Sequence, residues 1–418
     1  MKNLNRWVRA IVGVIILLMA GLIYSWTVMS KTIGASRNWT ASQLSLTFTI
    51  VMAFFCLGSL LGGIFSKKIK PRIYILASGV FFFFGFLIAS FTGESPALLY
   101  IGFGVLCGLG AGFAYNGVMG SISPWFPDKQ GLISGVLLMG FGFSSFIIGK
   151  VFAAVAPSDG TDTWKSVYLV MGIVIVILMV ICSFFVARPG EDYEAPAAKN
   201  ANKVVREPAS EMKTGQMLKQ PTFWLFYVWA IMVSAAGLAL VGQASGIASQ
   251  VGTTVSDGNI ATVVGLISIV NGVSRIIYGA LYDKIGYKLT MLLDMISFIV
   301  TAVILILALT TNSFVLIIIG FIVGGFSYGG VTPMQSALIS DFYGRTYYST
   351  NFSVVVTNLM IGSFASTVAG NLYDASQSYM STIYMMIIVT VVAFIVFLGI
   401  RRPGESKKKA KKKAEQEA

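Results

Sequence analysis

Apolar runs of about 20 residues, each closed by a short polar or glycine-containing turn, recur along the whole chain, and that is the length a helix needs to cross a bilayer core. Twelve are visible, at 7–29, 43–66, 72–92, 97–121, 131–156, 166–187, 222–247, 260–282, 287–310, 313–337, 347–371 and 380–400. The first follows Lys2, Arg6 and Arg9, as a signal peptide would, but its length and the eleven runs behind it predict a retained span. The expected fold is all-α and integral to the membrane. An N-terminal six-helix half (1–187) is joined by a central loop (188–220) to a C-terminal six-helix half (221–400), with a basic tail at 401–418.

The halves repeat each other. "GFAYNG" at 112–117 returns as "GFSYGG" at 325–330, and "RPGE" at 188–191 returns at 402–405. The turn "GGIFSKKIKPR" at 62–72 corresponds to "YGALYDKIGYK" at 278–288, and Asp128 to Asp341. Four matches at offsets of 213 to 216 residues, each at the same place in a six-helix unit, mark a duplication. Pseudo-symmetric halves of this kind belong to secondary transporters, with the substrate site at their interface near the bilayer midplane.

Composition agrees: 56% of the 418 residues are hydrophobic and 11% charged. Of the 30 Lys and Arg, 25 fall in segments that share a side with the N-terminus, which predicts a multi-pass plasma-membrane protein with both termini cytoplasmic. The net charge of +13 then reports topology and not nucleic-acid binding. The tail "KKKAKKKAEQEA" is expected beside anionic headgroups or simply solvated. Cys56, Cys107 and Cys182 each lie within a span, without the spacing of a disulfide or metal site. The absence of histidine removes His-based catalysis and His proton relays. No cofactor is expected; a non-transporting sensor is disfavoured because the connecting segments are too small for a soluble domain, and an enzyme because the spans hold no His and no clustered carboxylates and the chain shows no P-loop. A monomer would hold a complete pathway.

Arg275 stands inside the eighth span, in "SIVNGVSRIIYGALYDKIG". A permanent charge there is costly, and its default meaning is a functional group facing a water-filled cavity. Its planar fork matches a carboxylate. The alternatives are a fixed pair with Asp294, at a similar depth in the ninth span, and a gating role. Asp294 is also the one carboxylate well inside a span, hence the candidate for proton coupling. Asn271 lies one turn before Arg275 on the same face, placed to orient it or to bond a neighbouring helix. Tyr115 and Tyr328 are equivalent across the repeat, and with Tyr24 and Trp26 they can enclose a small anion or simply pack. Lys150, in the outer part of the fifth span, either attracts anions or snorkels to the interface.

The stretches "IYSWTVM" (23–29), "WFPDKQGLISG" (125–135), "MLKQPTFW" (217–224), "NGVSRIIYGALYDKIGYK" (271–288) and "SDFYGRTYYSTNF" (340–352) cover both halves and their junction. Through them the chain resembles a major facilitator superfamily transporter, and within that superfamily the oxalate/formate antiporter family, related to monocarboxylate transporters. The resemblance implies that Arg275 binds the substrate carboxylate. It also implies a conformational latch at the turn motifs, here Asp283, Lys284, Asp128, Asp341 and Arg345. The N-terminal copy departs from the pattern, with Lys67 and Lys70 where an Asp and a Gly are expected. Asn271 replaces the Asp of the animal-type carriers, which puts that route to proton coupling in doubt. The lysine that balances the second charge of oxalate is also missing, for Asn358 stands near its place in the eleventh span. One buried Arg matches one carboxylate, so a monocarboxylate such as lactate, pyruvate or formate is the expected substrate. An oxalate/formate antiporter is the alternative.

Overall fold

The computed structural model describes residues 5–37, 39, 41–156, 160–190, 193, 208–252, 255 and 257–403. Expectations about Lys2, the loop at 191–192 and 194–207, and the tail beyond Pro403 lie outside these residues. Twelve helices are long and apolar enough to cross a membrane: α1 (Arg6–Ser25), α2 (Leu46–Ile64), α3 (Pro71–Ser90), α4 (Ala97–Trp125), α5 (Gln130–Val155), α6 (Thr163–Ser183), α7 (Pro221–Val251), α8 (Thr262–Ile285), α9 (Tyr287–Thr310), α10 (Phe314–Tyr343), α11 (Tyr348–Ser376) and α12 (Met380–Leu398). α10 runs six residues past its expected end, because Leu338 to Ser340, Phe342 and Tyr343 are buried against neighbouring helices instead of leaving the membrane as a loop.

Helix boundaries follow local chemistry. Pro71 and Pro221 occupy first-turn positions of α3 and α7, where a missing N–H costs nothing. Gly286 separates α8 from α9 at φ 81°, and Gly344 separates α10 from α11 at φ 89°, backbone that disfavours a side chain. α9 shows how sequence sets position. Leu289, Leu293, Ile296, Val300, Val303 and Leu307 form an exposed stripe at helical spacing, suited to lipid tails. Thr290, Met291, Asp294, Met295, Phe298 and Thr301 form the buried face.

An even number of crossings puts the start of α1 and the end of α12 on one side, here termed the terminal face. Helices α1–α6 pack mainly on one another, as do α7–α12, and the groups meet along α5–α8, α2–α11 and α5–α10. On the α5–α8 seam, a Cβ on Gly279 would overlap the Gly131 carbonyl oxygen, and one on Gly135 would overlap the Arg275 carbonyl, so the two backbones touch. Hydrogen bonds between the groups gather towards the terminal face. Thr350 Oγ1 donates to the Gly63 carbonyl at 2.7 Å, and Asn116 Nδ2 to the Ser349 carbonyl at 2.9 Å. The Ser134 and Ser336 hydroxyls meet at 2.7 Å. The bundle is joined at the terminal face. Towards the other end of α8, Gly265 faces open space.

Candidate functional site

Arg275 lies where α8 crosses α5, and it is 7% exposed. Helical spacing brings Asn271 onto the same face, and its Oδ1 accepts from Arg275 Nε at 3.2 Å and Nη2 at 3.1 Å. Nη1 donates to the Leu138 carbonyl of α5 at 2.8 Å. The ring of small residues is what admits this crossing: a Cβ on Gly142 would sit 3.1 Å from Gly272 Cα and 3.3 Å from Arg275 Nε. No ion pair to a carboxylate is described for Arg275, so the Arg275–Asp294 pair is not formed. Asn271 Nδ2 is buried without an acceptor. The guanidinium thus has three of its five N–H groups engaged, all by neutral oxygens, and its charge unmatched.

Three tyrosines face this charge: Tyr24 of α1, Tyr115 of α4 and Tyr328 of α10 all lie within electrostatic reach of Arg275. Tyr24 and Tyr328 approach each other through their hydroxyls, linking the two groups beside the site. Tyr115 stacks on Phe352 at 5.9 Å and meets Phe55 and Phe141 edge-on at 5.2 and 5.3 Å. Phe141 also carries Tyr24 at 5.5 Å. Gly237 makes room for the Tyr328 ring, which a Cβ there would overlap. The result is one cation, one amide and three phenols enclosed by phenylalanine faces. Such a set offers hydrogen-bond donors to a small anion in an apolar enclosure. Leu138, Phe141 and Phe352 escaped sequence reasoning, since a backbone carbonyl and two phenylalanines carry no signal among 30 phenylalanines.

A sequence profile for the Major Facilitator Superfamily matches residues 10–367, and again 244–418. The chain belongs to the Major Facilitator Superfamily. The oxalate:formate antiporter of Oxalobacter formigenes is 25% identical over 409 residues, 96% of this chain and 93% of that protein. Monocarboxylate transporter 13 of Rattus norvegicus is 30% identical over 135 residues, 32% of this chain and 31% of that one. The solved structure of the proton:xylose symporter XylE bound to 6-bromo-6-deoxy-D-glucose superposes with a TM-score of 0.69 at 14% identity, covering 95% of this chain and 97% of that one, a likeness of fold. This superfamily member is a secondary transporter with twelve membrane helices.

Other residues singled out in this transporter's sequence are placed differently. Trp26 packs its ring against Phe103, tilted, at 5.2 Å and donates its indole N–H to the Leu44 carbonyl at 3.0 Å, so its described contacts tie it into the α1–α4 wall. Asn358 is fully buried, accepting from Ser234 Oγ at 2.8 Å and donating to Gln335 Oε1 at 3.2 Å, which knots α7, α10 and α11 together. Lys150 is exposed, with Nζ 4.6 Å from the Phe146 ring centroid. It lies about 12 Å beyond Gly142 along α5 at 1.5 Å per residue, and about a quarter turn off the face that carries Gly131, Gly135, Leu138 and Gly142.

The turn residues divide into two kinds. Asp283 crosses between the halves: Oδ1 and Oδ2 accept from the Gly131 and Leu132 backbone N–H groups, each at 2.9 Å, capping α5. Arg345 also crosses, donating from Nη2 to the Pro127 carbonyl at 3.2 Å. Burial pulls its guanidinium down from its ordinary value, opposed by Glu211, Asp341 and Asp128. Asp128 and Asp341 form ion pairs that do not cross, Asp128 with Arg6 of α1 at 2.6 Å and Asp341 with Arg402 after α12 at 2.8 Å. Lys284 is exposed and has no described partner. Glu211, in the central loop, was not anticipated. It accepts from the Arg345 and Thr346 backbone N–H groups, both at 3.0 Å, ahead of α11.

Proposed function

We propose that this transporter carries a small monocarboxylate, of the lactate, pyruvate or formate class, across the plasma membrane by alternating access, with Arg275 taking the carboxylate. The observation that carries this reading is a buried Arg275 with neutral hydrogen-bond partners, Asn271 and Leu138, and three tyrosines around it. An arriving carboxylate completes the charge and lowers the cost of closing the cavity. Tyr24, Tyr115 and Tyr328 supply hydroxyls and bulk, while Asn271 fixes the fork.

The two six-helix halves, 1–187 and 221–400, rock about this site. The bias of basic residues makes the terminal face cytoplasmic, so the joined arrangement is the outward-facing state and Asp283 and Arg345 hold it shut. The working unit is one chain. Oxalate/formate exchange is the second reading, favoured by the relative that spans 96% of the chain. Against it, Asn358 is occupied by Ser234 and Gln335, and Lys150 stands far out on α5. A second carboxylate group would then remain unpaired in a low-dielectric site.

Uptake of radiolabelled lactate, pyruvate, formate and oxalate into proteoliposomes tests the choice. Monocarboxylate uptake that falls at least a hundredfold in Arg275→Ala is expected. Robust oxalate exchange, or indifference to losing Arg275, would refute the one-Arg, one-carboxylate reading.

A further inference from the structure

Apart from Arg9 near the terminal face, Arg275 and Asp294 are the buried ionisable charges of the described spans. Asp294 is completely buried, no cation among the described residues pairs with it, and the Tyr278 phenol is the one hydroxyl that approaches its carboxyl group. It lies on the face of α9 turned away from lipid, seven residues from Tyr287 and so about 10 Å in from the end of the helix. The groups around it come from two helices that also build the substrate site. From α8 comes Tyr278, one turn beyond Arg275, whose hydroxyl bonds Ser297 Oγ at 3.1 Å. From α10 comes Gly330, two residues beyond Tyr328, where a Cβ would stand 2.7 Å from Asp294 Oδ1 and 2.7 Å from the Tyr278 ring. Ser297 in turn meets Ser327 of α10 at 2.6 Å. Tyr278 is the titratable group that acts on Asp294, and α7, α10 and α12 bring no charge to it.

A carboxylate buried within a span, with no cation and a single phenol beside it, is too costly to persist ionised. The spot is also mechanically special. Pro333 sits inside α10 and has no N–H, so the carbonyl of Gly329 loses its helical partner beside Gly330. α10 therefore has its weakest turn against the Asp294 carboxyl.

We propose that Asp294 is the proton-binding site of the transport cycle: it holds a proton in this state and loses it to the terminal face when α8 and α10 shift. This deepens the monocarboxylate reading and rests on it. With Asp294 neutral and the site empty, the buried pair carries the +1 charge of Arg275, the state that waits for an anion. Binding one carboxylate brings the pair to zero. Release of substrate and proton leaves Arg275 positive and Asp294 negative, again zero. Only these two forms are neutral, so the halves exchange sides fully loaded or fully empty, and one proton travels with each monocarboxylate.

The test uses wild-type and Asp294→Asn protein in proteoliposomes, with the monocarboxylate that the wild type exchanges best. Asn mimics the neutral acid and cannot release a proton. Substrate exchange between equal concentrations is expected to persist within about threefold. Uphill accumulation driven by an external pH one unit more acid, about tenfold in wild type, is expected to vanish in Asp294→Asn and to return in Asp294→Glu. Accumulation by Asp294→Asn equal to wild type would overturn the assignment, as would loss of exchange, or of the fold, on so small a change. An infrared carbonyl band of a neutral carboxylic acid in the wild type, read independently of any variant's folding, is expected at pH 7, and its absence would also overturn it. Should wild type exchange no monocarboxylate at all, the substrate reading falls first, while the infrared band still reports on the proton.

Discussion

The turn between α2 and α3 and the turn between α8 and α9 are copies at an offset of 216 residues, and they do the same mechanical job with opposite chemistry. In the second copy Asp283 caps α5 through two backbone N–H groups at 2.9 Å. In the first copy the equivalent residue is Lys67, which has no acceptor to offer and the wrong sign for a helix N-terminus. Its Nζ instead rests 3.4 Å from the ring centroid of Tyr347, the counterpart of Gly131 at the same offset. The capping of that helix entrance passes to Glu211 of the central loop. Gly286, at φ 81°, has Lys70 as its counterpart, at φ −66° and ψ 141°, the extended backbone a following proline imposes. The interior shows the same division. The offset relates Arg275 to Ser59 and Asp294 to Ser78, both fully buried. Duplication preserved the frame, and charge collected in one half of it.

Breaking the seam itself is the largest perturbation. Gly279→Leu drives a side chain into the Gly131 carbonyl, and α5 and α8 cannot touch backbone to backbone. Transport is expected to drop below detection, and spin labels on the terminal ends of α5 and α8 to move apart. Gly265→Leu on the same helix is the matched control: nothing lies within 4 Å of its Cβ position, so near-normal transport is expected.

Asp283→Ala is the next step down. Losing an N-cap carboxylate costs about 1–2 kcal/mol, which moves the balance between the two states by roughly 5- to 30-fold. The same spin-label pair should show the joined population falling by that factor, with exchange rates altered in step. An unchanged distribution would mean that Asp283 caps α5 without holding the halves.

The parts of this arrangement that sequence exposed are those with periodicity or a local motif. The twelve spans follow from run length, and Asp283 was readable as a helix-end acceptor because it closes a span beside a glycine turn. Arg275 and Asn271 were readable because one turn separates them. What escaped depends on which helices meet. Trp26 and Tyr24 are two residues apart, and only the packing shows that one meets Phe103 and the other meets Phe141. Asn358 looked like a replacement in a binding position, yet its amide is spent on Ser234 and Gln335, partners 124 and 23 residues away. Glu211 lies in a loop without hydrophobic pattern, and nothing in its neighbours announces that it caps residues 345 and 346.

Lys67 gives the smallest and sharpest test of the comparison. A cation over an aromatic ring at an accessible site contributes about 0.5–1 kcal/mol, so Lys67→Ala is expected to shift the spin-label populations by only about two- to fivefold. Lys67→Asp separates the two chemistries. If the position still works as a cap in disguise, restoring the carboxylate strengthens the joint. The structure argues otherwise, because Glu211 already accepts the Arg345 and Thr346 N–H groups and Tyr347 presents a ring to this side chain. A second carboxylate there competes with Glu211 for the same helix entrance and adds like charge to it. Lys67→Asp is therefore expected to weaken the joined state at least as much as Lys67→Ala, and strengthening would show that the two turns still share one mechanism.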